Sequence, residues 1–178
     1  MEYLNQDEIT RVLAVAKEQN RMHWQLMLTA FYFGLRVSEV INILGEDVAN
    51  GQLAVQRLKG SNRTLQSIPS GEGSSDTFKL DLVQRAAAVG PRGRLFPVSR
   101  QRVDQFVKRY ARLAGIHRTK AHLHAVGKHS IAMAIWHATH QLGQIKAYLG
   151  HKSMSSTMVY LNEDNSLQAT AAVASLGF

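Results

Sequence analysis

Leu149-Gly150-His151-Lys152-Ser153-Met154-Ser155-Ser156-Thr157-Met158-Val159-Tyr160 pairs a histidine with a tyrosine nine residues on, across a glycine turn and a serine-rich helix start. A phenol is a poor nucleophile at neutral pH. If Tyr160 does chemistry, its electrophile must be polarised by cations supplied from elsewhere in the chain, so the upstream arginines and lysines are the residues to place.

Such cations are plentiful. The 178 residues include 21 Lys and Arg against 13 Asp and Glu, a formal net charge of +8, and that surplus favours an anionic partner such as nucleic acid. The charge is also concentrated, because Arg85 to Lys128 carries eleven basic residues and a single acid, Asp104. The length suits one domain with a sizeable core. No cysteine is present, which excludes disulfides and thiolate metal ligation. The start, MEYLNQDEIT, lacks a charged segment followed by an apolar run, and no uninterrupted apolar stretch is long enough to span a bilayer. The expectation is a cytoplasmic protein without membrane association.

Working back from the tyrosine, Ser155 opens a helix expected to carry Tyr160, and SLQATAAVASLGF (166–178) reads as a last amphipathic helix. Helices are expected near Lys128 to Thr139 and Gln141 to Tyr148. Ser99 caps a helix through Val103, Phe106, Val107 and Tyr110, and another runs from about Thr77 to Val89 after the Gly/Ser loop Ser70 to Asp76. Residues 52 to 69 alternate around a polar turn, which predicts a two-stranded hairpin with Lys59 at its tip. At the start, Asn5 with Glu8 forms an N-cap and capping partner for a helix to about Gln19. Met22 to Phe33 is apolar all round and predicts a central helix. Gly34 then turns the chain into a third short helix that begins at Arg36 and continues through Val40 and Ile43. The expected class is α+β, mostly helical, with a small antiparallel sheet.

The eight histidines raise the question of a metal. There is no His-Glu-x-x-His motif, and His122, His124, His129, His137 and His140 have no accompanying carboxylate in sequence, so neither a metal nor another cofactor is expected.

The order GLRVSE, hairpin lysine, a basic-histidine box, then LGH with a tyrosine nine residues later resembles the catalytic domain of the tyrosine recombinase (phage integrase) family over essentially the whole chain. The resemblance implies that residues 1–178 are a single catalytic domain, without the N-terminal core-binding domain that completes a DNA clamp in the family. It implies that Arg36 is the first catalytic arginine, its guanidinium suited to bidentate contact with phosphodiester oxygens. Glu39 is the supporting acid, Lys59 the general acid for the departing 5′ oxygen, His151 a donor to the scissile phosphate and Tyr160 the nucleophile. In the second box the family reads His-x-x-Arg-His, whereas this chain reads His124-Ala125-Val126-Gly127-Lys128-His129. Counting back from His151 places Lys128 at the arginine and His129 beside it as a supporting residue, with His124 one residue out of register. A bulge at Gly127 would return His124 to the site as a further catalytic candidate. The lysine keeps the charge but loses the planar two-pronged donor.

The implied function is site-specific recombination of double-stranded DNA through a 3′-phosphotyrosyl intermediate. Four protomers would assemble on two duplexes, passing residues 166 to 178 to a neighbour. The alternative is a catalytically impaired DNA-binding module of the same fold.

Overall fold

The computed structural model describes residues 2–58, 61–70 and 74–160. Helix α1 spans Gln6–Gln19, and Asn5 and Glu8 exchange hydrogen bonds at its start as the sequence predicts: the Glu8 N–H donates to Asn5 Oδ1 and the Asn5 N–H to Glu8 Oε2, both at 2.9 Å. Helix α2, Arg21–Tyr32, buries eight consecutive residues from His23 to Ala30 and is the central helix expected from its composition. Leu26 and Met27 have no solvent exposure, and each such side chain contributes roughly 1.5–3 kcal/mol of burial energy.

Three features of the first 90 residues differ from expectation. Helix α3 is only Val37–Val40, because the chain turns at Ile41 instead of continuing through Ile43. The sheet has three antiparallel strands in the order β1 (Val48–Ala49), β2 (Gln52–Val55), β3 (Thr64–Ser67), so two residues ahead of the hairpin add a short edge strand. Helix α4, Ser74–Val89, starts inside the stretch read as a Gly/Ser loop.

Helix α5, Arg100–Leu113, is capped by Ser99, whose hydroxyl accepts from the Arg102 N–H at 3.1 Å, and buries the expected Val103, Phe106, Val107 and Tyr110. Helices α6 (Ser130–Thr139) and α7 (Leu142–Leu149) follow, then α8, Ser155–Met158. Helix α8 opens at Ser155 as expected, but Tyr160 lies two residues past its end in a turn, not on the helix.

Two apolar clusters hold the fold. The larger joins α1, α2, the sheet, α4 and α5; the smaller, Ala132, Met133, Trp136, Ile145, Leu149 and Tyr160, joins α6 and α7 to the end of the described chain. The tyrosine ring is thus a packed member of the second cluster.

Candidate functional site

Arg36 caps α3, and Glu39, one turn on, reaches back to it. The Arg36 N–H donates to Glu39 Oε2 at 2.8 Å and its Nη1 to Oε1 at 2.8 Å. The same carboxylate accepts the Leu58 N–H at 3.1 Å and lies 3.6 Å from the guanidinium of Arg57. Burial alone would raise the Glu39 pKa, but these N–H donors and the two arginines hold it below the usual carboxylate range. Its side chain is inaccessible, whereas that of Arg36 keeps 25% exposure. The pair is therefore anchored from the protein side and open on the other.

Arg57 was not among the site residues expected from the sequence. It donates to Thr64 Oγ1 at 3.0 Å, to the carbonyls of Gly34 and Phe33 at 3.0 and 2.7 Å, to Gln66 Oε1 at 3.1 Å and to the Tyr148 carbonyl at 3.3 Å. It ties the sheet to the ends of α2 and α7. A signal existed: Leu53 and Val55 face inward, so period two places Arg57 inward as well.

The second box contains a local irregularity at Gly127. Ala125–His129 is a π-helical turn leading into α6, so the extra residue is absorbed as a wide turn. Gly127 is the residue on which this depends, because an added Cβ would stand 2.7 Å from the Ala30 carbonyl oxygen of α2. The turn brings His124 against His129, ring centroids 4.3 Å apart, and His129 in turn lies 6.2 Å from the Tyr160 ring. Lys128 is 5% exposed. Burial, and then Arg36 and Arg57 with Glu39 opposing them, lower its pKa to about 8. A buried ammonium beside two guanidiniums is a configuration that an anion stabilises.

His151 follows Gly150, which ends α7 at φ 68° and whose added Cβ would lie 2.6 Å from the Asn62 carbonyl oxygen. Both facts require glycine there. His151 is 6% exposed, its Nδ1 is 2.9 Å from Thr157 Oγ1, and burial followed by the charges of Lys128, Arg36 and Arg57 lowers its pKa to about 4. His124 is likewise lowered to about 4 by burial, then by His129, Lys128 and Arg36. Both rings are neutral at pH 7. Burial raises the Tyr160 pKa, with Arg36 opposing the rise, so the phenol keeps its proton until a reaction removes it.

Arg36, Glu39, Arg57, His124, Lys128, His129, His151 and Tyr160 thus converge on one site, with the cations Arg36, Arg57 and Lys128 against the Glu39 carboxylate among the described residues. Lys59 and residues 166 to 178 lie outside the described residues. No group of three or more histidine or carboxylate side chains among the described residues is arranged to hold a metal ion.

The model of the phage integrase family matches residues 2–166. This chain is a phage integrase family member. Among curated family members, it is 32% identical over 157 residues to tyrosine recombinase XerD of Xanthomonas axonopodis pv. citri, an alignment covering 80% of this chain and 50% of that protein. It is 28% identical over 168 residues to tyrosine recombinase XerA of Thermococcus kodakarensis, covering 88% and 56%. The chain spans about half the length of these relatives. Among solved family structures, the catalytic domain of bacteriophage HP1 integrase superposes with TM-score 0.71 at 20% identity, covering 96% of this chain and 94% of that one. A XerH site-specific recombinase in a post-cleavage complex gives 0.75 at 19%, covering 96% and 52%. These likenesses establish a shared fold, that of integrase catalytic domains.

Proposed function

We propose that this integrase domain cleaves and rejoins double-stranded DNA, with Tyr160 attacking a backbone phosphate. The Tyr160 Oη–phosphorus bond would form as the bond to the 5′ oxygen breaks, leaving a 3′-phosphotyrosyl link and a 5′ hydroxyl. Tyr160 gives up one proton, for which the neutral site histidines are the proposed acceptors, and the leaving oxygen takes one, which Lys59 is proposed to supply. The phosphotyrosyl link conserves the energy of the original bond, so rejoining needs no nucleotide cofactor.

The observation that carries this reading is that the Arg36 guanidinium lies within electrostatic reach of Lys128, of neutral His151 and of Tyr160 alike. A pentavalent phosphorane gathers negative charge on its equatorial oxygens, and fixed cations in a water-poor cleft stabilise that charge more than water does. Arg36 is the two-pronged donor and Lys128 the buried point charge. If the Thr157 hydroxyl donates to Nδ1 of His151, the imidazole proton resides on Nε2, the orientation of a phosphate donor. Glu39, His129 and Arg57 support the set. Residues 1–178 are proposed to be the catalytic half of a DNA clamp acting in the cytoplasm. Four such protomers would close a ring through head-to-tail exchange of residues 166–178.

A nicked duplex that loses its 5′ fragment on cleavage tests the reading. Wild type should accumulate a denaturant-resistant protein–DNA adduct and Tyr160→Phe none. No adduct from wild type, with duplex binding intact, would favour the binding module that the lysine at position 128 makes the competing reading.

A further inference from the structure

The π-turn is fastened on two sides, and we infer that Ser130 is a positioning residue that holds Lys128 in the site by tying the turn to the first residues of the chain. The Ala125 carbonyl accepts both the Ser130 N–H, as a wide turn requires, and the Ser130 hydroxyl at 2.7 Å. The same Oγ accepts the Leu4 N–H at 2.8 Å, in a place where Leu4 is 2% and Ser130 3% exposed. One residue earlier, the His129 ring nitrogen Nδ1 donates to the Glu2 carbonyl at 3.0 Å. The two residues that follow Lys128 are therefore strapped to Glu2 and Leu4. On the residue that precedes it, Gly127 is locked against the Ala30 carbonyl of α2.

A wide turn is less stable than an α-helical one and persists where its surroundings hold it. Relaxing it by one residue would rotate position 128 by about 100° about the helix axis. That rotation would take the ammonium away from Arg36 and Glu39 of α3 and from Arg57 beyond β2, the charged groups whose fields it now feels. A serine that bonds back to a helix carbonyl is common and by itself means little. The distinguishing feature is that this hydroxyl also receives an N–H from 126 residues away. Whatever displaces the strap at Glu2 to Leu4 would thereby displace Lys128.

The role of Lys128 rests on the recombinase reading, so the experiment has a readout that does not. Lysine-selective NMR in the absence of DNA follows the Lys128 amine titration in wild type, Ser130→Ala, Leu4→Pro, which removes the N–H, Leu4→Ala, which retains it, and the double variant Ser130→Ala with Leu4→Pro. Ser130→Ala and Leu4→Pro should each move the Lys128 midpoint up toward that of an ordinary lysine, and Leu4→Ala should leave it in place. Single-turnover cleavage of the nicked duplex should slow about tenfold to a hundredfold in the first two, with duplex affinity unchanged and the double variant no slower than either. An unmoved Lys128 midpoint in Ser130→Ala, multiplicative losses in the double variant, or an equal shift in Leu4→Ala would overturn the brace. If Ser130→Ala does not fold, the contrast between Leu4→Pro and Leu4→Ala decides. Failure of wild type to form any adduct would remove the recombinase reading while the NMR comparison still tests the brace.

Discussion

Raising the pH from 7 to 9 should switch Lys128 off while leaving the other described site residues as they are. With its midpoint at about 8, Lys128 is about nine-tenths protonated at the lower pH and about one-tenth at the upper. Cleavage that needs the ammonium should therefore slow about tenfold, equivalent to about 1.4 kcal/mol of lost transition-state stabilisation. His124 and His151, lowered to about 4, are neutral throughout, and Tyr160, raised by burial, keeps its proton. An arginine does not deprotonate in this range, so Lys128→Arg should hold a level rate across it. The variant should also cleave faster at neutral pH, because its planar fork matches two equatorial oxygens. The assay is single-turnover cleavage of the nicked duplex at subsaturating enzyme, which reports ionisations of the unliganded protein. A wild-type rate that stays level to pH 9, or a parallel fall in Lys128→Arg, would refute the assignment of the charge to Lys128.

Glu39→Ala should destabilise the domain by about 3 kcal/mol, since Arg57 would lose the carboxylate that offsets its burial; urea denaturation measures it, and a loss below about 1 kcal/mol would mean that the backbone carbonyls suffice. Gly127→Ala should cost about 1–3 kcal/mol by forcing a Cβ against the Ala30 carbonyl, and should depress cleavage beyond what the melting temperature accounts for. His124 and His151 take protons near 6.5 when unfolded but near about 4 when folded, so the unfolded chain binds protons first as the pH falls. Stability should decline from pH 6.5 through 4, less steeply in His151→Gln, and a melting temperature level over that range would contradict the burial of both rings. Duplex binding should weaken steeply with salt, because the basic run from Arg85 to Lys128 replaces condensed counterions; a flat response in a filter or anisotropy titration would exclude that surface.

Local chemistry was legible in the sequence wherever it is completed within a few residues. The Asn5–Glu8 capping box, the Ser99 cap and the all-round apolar pattern of α2 depend on backbone N–H groups and side-chain spacing that no distant contact alters. The family likewise followed from the order of short motifs, and the extra residue at Gly127 was visible as a register problem in the second box. Element ends were less legible: α3 stops at Val40, α4 begins at Ser74 and Tyr160 falls beyond α8, because propensity weakly opposes the tertiary contacts that decide where a helix frays.

What the sequence by itself determined is the composition of the site, a tyrosine, a histidine and cations carried on separate motifs. Only the tertiary structure decided their state. Arg57 became the hub of that site because strand alternation turned it inward against the carbonyl ends of α2 and α7. The π-turn placed Lys128 within the fields of Arg36, Glu39 and Arg57, and the enclosure of His124 and His151 made both rings neutral. Charge and protonation in a buried cleft depend on desolvation and on fields from residues tens of positions apart, and neither exists until the chain has closed around them.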